Sequence, residues 1–507
     1  MARKKAEKKK GPATTGKTGP GSKTVKRKLT DYERIRQALP EELEANDGDL
    51  LRPSMFHLLP LSGCVVPRIL RENNLESKPY SYLRHADGRR ECIEFNQVLT
   101  LASGECLFFR DHQESGVGAG WSASSRTRWL EGEPCPDATD VFRRLRDRIA
   151  EYIDFPDDLG TQYDVIALFA MCTYSYSVWP AVPYLHVKGT AGTGKTRLLD
   201  ILSLLVFRPF FSSELTTAVL FRTIQAVGGT TILDELEGLQ TKTPRSEAIK
   251  TILNAGYRAG GKAHRSDMSP NANFKTQAFD VFGPKVLGSI DEFPETLMSR
   301  CIAVQMIKAP PASAASARQL CTKDEMWQKL RDDLHMIAME HGAVWLKLTE
   351  DEASANGLHS RERELWQPLL ALAKWLDDQN PTGLWERLHK HAILMVECYR
   401  VTSIPEEDEI VLQALAKLVL NQRKHPRMQM PTSKDVLNAV KAVHEDGFYG
   451  WTPQRLAALL RRYNIHSRQS GNRRPIVTNI RQLKQIETAY GLKLVARWPN
   501  ESEDGKK

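Results

Sequence analysis

Long apolar runs are missing from this 507-residue chain: the best candidate, 165–184, is broken by Thr173, Ser175, Ser177 and Pro180, so no segment is expected to span a membrane. The basic N-terminus has no apolar stretch behind it, which excludes a secretory signal. Eight cysteines, at 64, 92, 106, 135, 172, 301, 321 and 398, never form C-x-x-C. Neither a zinc site nor a disulfide framework is indicated, and no structural metal is predicted. A soluble cytoplasmic protein with reduced thiols is expected. Acidic residues are scarce in the first 29 residues and again in a stretch short of the C-terminus. Residues 1–29 carry eleven Lys or Arg against Glu7 alone, and residues 451–492 carry eight against one acid, although the net charge of the whole is only +9. Positive charge therefore sits near the termini, where it suits a polyanion.

Composition divides the remainder. Residues 1–29, mostly Lys, Gly, Thr and Pro, are read as a disordered basic tail. Residues 30–136 are expected to form a small α+β accessory domain. A helical pattern over 32–43 is followed by strands 80–83 and 91–95 around the turn at 86–89, and strands 97–101 and 105–109 around Ser103-Gly104. Asp47-Gly48-Asp49 reads as a polar turn. Helical spacing of Val141, Leu145, Ile149 and Ile153 leads into a core at 137–308, closed by the Pro/Ala/Ser-rich stretch 309–316. Helical patterns over 317–423 predict a lid or linker domain, 431–498 a compact C-terminal domain, and 499–507 a polar tail.

What is present is a phosphate-binding loop. Gly189-Thr190-Ala191-Gly192-Thr193-Gly194-Lys195-Thr196 satisfies G-x-x-x-x-G-K-[ST] between an apolar lead-in (Tyr184, Leu185, Val187) and an apolar helix beginning near Leu198. Gly189, Gly192 and Gly194 let the backbone, through Thr193, curl its N–H groups toward a triphosphate. Lys195 reaches the β- and γ-phosphates, and Thr196 offers a hydroxyl to Mg²⁺. Further on, a short buried-strand pattern ends in Asp234-Glu235. Asp234 suits the Mg²⁺ shell, and Glu235 suits orienting and deprotonating a water.

Residues 282–291 read as another core strand, and 294–302 as a short helix ending at Arg300. With the loop and the acid pair, residues 140–375 resemble the AAA+ ATPases of phages, plasmids and genomic islands that act as replicative helicases, of superfamily 3 or minichromosome-maintenance type. The resemblance implies ATP and Mg²⁺ as cofactors and Ser289 at the sensor 1 position, where related helicases often carry Asn. It implies that Arg300 reaches a neighbouring subunit's nucleotide, and that Arg361, with Arg363 as the alternate, is the sensor 2 arginine of the lid. It implies a hairpin of 262–266 with 274–279 lining a ring channel, with Lys262, His264, Arg265 and Lys275 on DNA phosphates. An ordinary surface hairpin is the other reading. A homo-oligomer, a hexamer in the family, follows.

The C-terminal domain points the same way independently. An apolar-periodic helix over 436–444 precedes a second over 454–463, with Thr452 as N-cap and Pro453 at the first helical position. A basic stretch at 468–474, a β-like Ile476-Val477 and a last helix follow, which is the order of a winged helix-turn-helix. Arg461, Arg462, Arg468, Arg473, Arg474, Arg481 and Lys484 are candidate phosphate contacts. The expected fold class is thus α/β: an AAA+ P-loop NTPase core with a helical lid, a small N-terminal α+β accessory domain and a C-terminal winged helix-turn-helix. The expected activity is that of an ATP-driven DNA helicase or translocase of a mobile genetic element, acting as a ring on single-stranded or forked DNA in replication. A primase or polymerase is the partner class left open for residues 30–136. The alternative is an AAA+ switch that assembles on DNA with ATP and recruits partners without unwinding.

Overall fold

A computed structural model describes residues 50–66, 79–110, 120–156, 160–213, 216–266, 276–402 and 404–498. The expected basic tail, the helix at 32–43, the Asp47-Gly48-Asp49 turn, Lys275 and the polar tail lie outside the described residues. The chain divides into two units, residues 1–51 with 96–110, and residues 52–95 with 111–507.

Strands β1 (Phe56–His57), β2 (Leu61–Val66), β3 (Tyr80–His85) and β4 (Arg90–Glu94) form an antiparallel sheet in that order. β2 reads Leu-Ser-Gly-Cys-Val-Val and is buried at every position, the pattern of a strand covered on both faces. In the smaller unit, β5 (Val98–Thr100) and β6 (Cys106–Phe108) make a hairpin, and the Leu51 N–H donates to Phe108 O at 2.9 Å. Both predicted hairpins are therefore present.

The β1–β4 sheet is not a domain of its own. Met55, Cys64, Val66 and Tyr82 belong to the same apolar cluster as the core that follows. Helix α1 (Ala123–Leu130) supplies Trp129, which packs with Trp121 and Tyr82, while Trp121 stacks on His335 of a later helix at 5.5 Å. The expected boundary near 136 falls instead inside a continuous core, in which Met55, Cys64, Val66, Tyr82, Trp121 and Trp129 cluster with the residues that follow.

Helices α2 (Ala138–Ala150) and α3 (Thr161–Thr173) come next; α3 is apolar all round and buried nearly throughout. The central sheet is built from β7 (Tyr184–Lys188), β8 (Phe210–Ser212), β9 (Thr231–Leu233), β12 (Lys285–Ser289) and β13 (Cys301–Gln305), all parallel, in the order β13-β7-β12-β9-β8. Between these strands run α4 (Lys195–Leu205), α5 (Thr217–Val227) and α6 (Pro244–Ala255). The antiparallel pair β10 (Lys262–Ser266) and β11 (Thr276–Asp280) follows, and then the short α7 (Glu295–Met298). The chain is thus mixed α/β, with β7 and β12 at the centre of a parallel sheet. In such sheets ligands bind beyond the carboxyl ends of the strands.

The short α8 (Ala314–Ala317) precedes α9 (Glu325–Leu348), α10 (Ser360–Gln379) and α11 (Leu384–Thr402), which complete the main core. Gly342 on α9 sits against His57, where a Cβ would come within 2.0 Å of Nδ1, so only glycine permits this packing of β1. α12 (Glu406–Lys424) departs from the expected lid at 317–423. Its stripe of Val411, Leu412, Leu415, Ala416 and Val419 packs in a second core with α13 (Ser433–Lys441), α14 (Pro453–Arg462) and α15 (Ile480–Tyr490). Each fully buried Leu of that stripe contributes about 2 kcal/mol to holding α12 in the C-terminal group. That group is completed by the hairpin β14 (His466–Ser467) with β15 (Ile476–Val477), and by Thr432 bridging Pro475. No helix among the described residues is long and apolar enough to cross a membrane.

Candidate functional site

The loop from Gly189 to Gly194 joins the end of β7 to the start of α4, beyond the carboxyl edge of the sheet. Gly192 and Gly194 have φ of 78° and 91°, left-handed values that favour glycine. A Cβ on Gly189 would lie 2.6 Å from Thr193 Oγ1 and 2.8 Å from Met306, so the loop closes tightly over β13. The Thr193 hydroxyl donates to Thr190 O at 2.8 Å and stiffens the curl. Gly194 caps α4 without a side-chain hydrogen bond. The first turn of that helix thereby offers backbone N–H groups and a favourable dipole to an anion.

Two oxygens of opposite elements converge below the loop. Thr196 Oγ1 lies 3.4 Å from Asp234 Oδ2, a hydroxyl and a carboxylate of the hard oxygen type that suits Mg²⁺. Asp234 is placed by its N–H donating to Ser212 O at 3.2 Å, and its Oδ1 accepts from the Glu235 N–H at 2.9 Å. A Cβ on Gly288 would lie 2.5 Å from Asp234 Oδ1, so β12 leaves room for the carboxylate. Glu235 itself has φ of 55°, a strained value for a side chain of its size. It is exposed and lines a cavity of about 220 Å³ with Leu220, Leu233, Leu239, Thr241 and Ile249. Lys195 Nζ faces Glu237 Oε1 at 3.9 Å, and the same oxygen accepts the Ile290 N–H at 3.1 Å.

Ser289 ends β12 as expected, but it is 1% exposed. Its hydroxyl donates to Asp291 O at 2.6 Å and lies 2.8 Å from His186 Nε2. Burial holds His186 neutral, pushing its pKa down to about 3, so the ring and the hydroxyl form an internal pair. The serine is thus engaged on both sides within the core. The residue expected at the sensor 1 position thus has its hydroxyl held between Asp291 O and the His186 ring.

Arg300 and Arg361 come together at the other end of the sheet. Cys301, next to Arg300, pairs with Tyr184 at the start of β7, and the phosphate loop follows its end. At about 3.3 Å per residue, the two points are separated by roughly 16 Å along the strand. The Arg300 guanidinium donates to Thr296 O, lies 5.9 Å from the centre of the Tyr257 ring, and leaves Nε without a partner. Burial and the neighbouring Arg361 charge hold its pKa below the usual arginine range. Arg361 Nη1 donates to Ser299 Oγ at 3.1 Å. Arg361, expected as the sensor 2 arginine of the lid, thus lies with the start of α10 against the Ser299-Arg300 corner. Arg363, the alternate, lines a cleft with Trp179 and Gln367.

The β10–β11 hairpin divides its basic residues between two faces. Lys262 and His264 share one face by strand alternation, and Arg265 turns to the other, with its guanidinium 5.0 Å from the Phe221 ring centre. The hairpin base is anchored by Asp280, which pairs with Arg52 at 2.6 Å and whose N–H donates to Gln225 Oε1. Below it, Lys285 is fully buried and donates to Gly256 O, Val281 O and Gly283 O at 3.3, 2.9 and 3.0 Å.

In the C-terminal group, Arg461, Arg468 and Arg481 are exposed, and their guanidinium groups make no ion pair among the described residues. Arg474 Nε donates to Gln469 Oε1 at 2.7 Å, and Arg473 pairs with Asp435 at 3.2 Å. Lys484 lies partly buried on α15. Arg462 turns back to the buried Asp408 of α12, which also accepts from the Tyr463 hydroxyl at 2.8 Å. A groove of about 380 Å³ beside α14 is lined by Ser433, Gln454, Arg461, His466, Ser467 and Arg474.

No family model matches the chain, and no curated protein matches it. Among solved structures, it is similar to the active helicase Cch of SCCmec type IV at 10% identity and a TM-score of 0.36, over 85% of this chain and 95% of that one. It is similar to the C-terminal region of NrS-1 at 10% identity and a TM-score of 0.32, over 76% and 82% of the two chains. A JCV helicase is matched at 14% identity and a TM-score of 0.21, over 54% and 76%. At these scores the core is defined by its own strand order and loop geometry.

Sequence reasoning missed Glu237, because a regular strand through Asp234-Glu235 gives no reason to look two residues further. The positive φ at Glu235 is what changes the direction of the next side chains. It also missed Gln454 and Arg455 at the exposed first turn of α14; Arg455 stacks on Trp451 at 4.0 Å. Their signal was present in Thr452-Pro453, which marks where that turn begins.

Proposed function

We propose that this protein is an ATP-driven DNA helicase or translocase that works as a ring, of the kind mobile genetic elements use in replication. The observation that carries the nucleotide part is the approach of Thr196 to Asp234 beneath a glycine-built loop ending in Lys195. Bound Mg-ATP would supply the energy of phosphoryl transfer. Lys195 and the loop N–H groups hold the β- and γ-phosphates, while Thr196 and Asp234 hold the metal shell. Glu235 orients the attacking water and accepts its proton. Arg300, too far from its own loop, is offered with Arg361 to a neighbouring copy, where a guanidinium stabilises charge on the γ-phosphate. That requirement is the support for a ring, hexameric by the resemblance.

DNA contact is supported by two basic faces. Lys262 and His264 on the β10–β11 hairpin would line the channel of a ring, and Arg461, Arg468, Arg474 and Arg481 would contact phosphates of a strand or fork. The C-terminal arrangement reads as a winged helix: α12, the Thr432 bridge, α13, α14 and the β14–β15 wing, with α14 as the recognition helix. The test is ATP hydrolysis with and without single-stranded and forked DNA, following displacement of a labelled strand. Stimulation with displacement supports the helicase. Stimulation without displacement moves the reading to a DNA-bound switch, and no response to DNA overturns both.

A further inference from the structure

We infer that Glu237 is a positioning residue of the nucleotide site, which competes with phosphate for Lys195 and so hastens release of the product nucleotide. The inference rests on the nucleotide reading proposed above. Two neighbouring acids have partners of their own: Asp234 faces Thr196 at 3.4 Å, and Glu292 pairs with Lys188 at 2.6 Å. Glu237 is the carboxylate turned to Lys195, at 3.9 Å. It is held there by the Ile290 N–H at 3.1 Å, at the tip of β12 and next to Ser289. With Ser289 buried against His186, the polar group that this strand tip offers is that N–H, and Glu237 links it to the phosphate-loop lysine.

The Lys195 side chain is only 12% exposed and that of Glu237 36%, so the attraction between them is screened less than in a surface pair. One ammonium cannot face the carboxylate and the phosphates in the same place. A triphosphate with its metal brings enough charge and enough hydrogen bonds to take Lys195 from Glu237. A diphosphate, lacking the γ-phosphoryl group, holds the lysine through fewer oxygens, so Glu237 reclaims it more readily and the product leaves.

The measurement is dissociation of a fluorescent ADP analogue from the full-length protein by stopped flow, with its affinity by titration, comparing the wild type with Glu237→Gln. The amide keeps an oxygen for the Ile290 N–H and removes the charge. Expected is ADP binding tighter by roughly three- to tenfold, carried by a slower off-rate, with a smaller change for a slowly hydrolysed ATP analogue. Glu237→Asp, with a shorter reach to Lys195, should fall between the two. Unchanged or weaker ADP binding in Glu237→Gln overturns the inference while leaving the nucleotide reading standing. So does lost hydrolysis with ADP binding unchanged, which would make Glu237 a group acting on the water. If wild type and Lys195→Ala are alike in failing to bind ADP, the nucleotide reading falls, and the inference with it.

Discussion

Arg300→Ala separates a trans-acting arginine from a structural one. The roughly 16 Å between the start of β7 and its phosphate loop exceeds the reach of an arginine side chain, so the substitution should spare each subunit's own nucleotide binding. The guanidinium makes one hydrogen bond to Thr296 O and leaves Nε without a partner, so the fold should lose only about 1 kcal/mol. Hydrolysis should fall by about 10³ or more, the typical value of an arginine supplied in trans. The decisive assay mixes Arg300→Ala with Lys195→Ala, each inactive alone. With random assembly of equal amounts, an intact loop meets an intact arginine at about a quarter of the interfaces, so hydrolysis should return to roughly that share of wild type if each interface acts alone. No recovery on mixing, with assembly confirmed by sedimentation, would refute the trans placement, as would full activity of Arg300→Ala by itself.

Lys195→Ala should abolish nucleotide binding, whereas Glu235→Gln should bind ATP and stall; equal loss of binding in a titration would sink that division of roles. Burial, helped by the Arg52 charge, lowers the Lys285 pKa from 10.5 to about 7. Between those values the unfolded chain binds the extra proton, so stability rises with pH across this window, and the penalty is present in full below about pH 7. Denaturant melts should show the wild type gaining about 2 kcal/mol relative to Lys285→Met between roughly pH 7 and 9, and parallel curves would disprove it. In the C-terminal group, Arg468→Ala or Arg461→Ala should weaken DNA binding uniformly and lower the salt slope by about one. Arg462→Ala, whose partner is the buried Asp408, should leave the slope unchanged and lower the Tm instead.

Features fixed by short stretches of chain were legible. The glycine loop between β7 and α4, the acid pair just after β9, the β10–β11 pairing and the helix beginning at Thr452-Pro453 depend on nearby stretches of chain, and their glycines, alternation and caps are visible directly. Whatever depended on register between distant elements was not. The stripe on α12 announces a buried face without saying which core buries it, and the unbroken burial of β2 says that both its faces are covered without naming the cover. Arg361 shows the reason most directly. A parallel strand has two ends, and only the pairing of Cys301 with Tyr184, together with the Arg361–Ser299 contact, decides which end the arginine occupies. A motif gives the residue type needed at a phosphate, but the strand register decides at which end of the sheet that residue stands, and here it is the end away from the glycine loop.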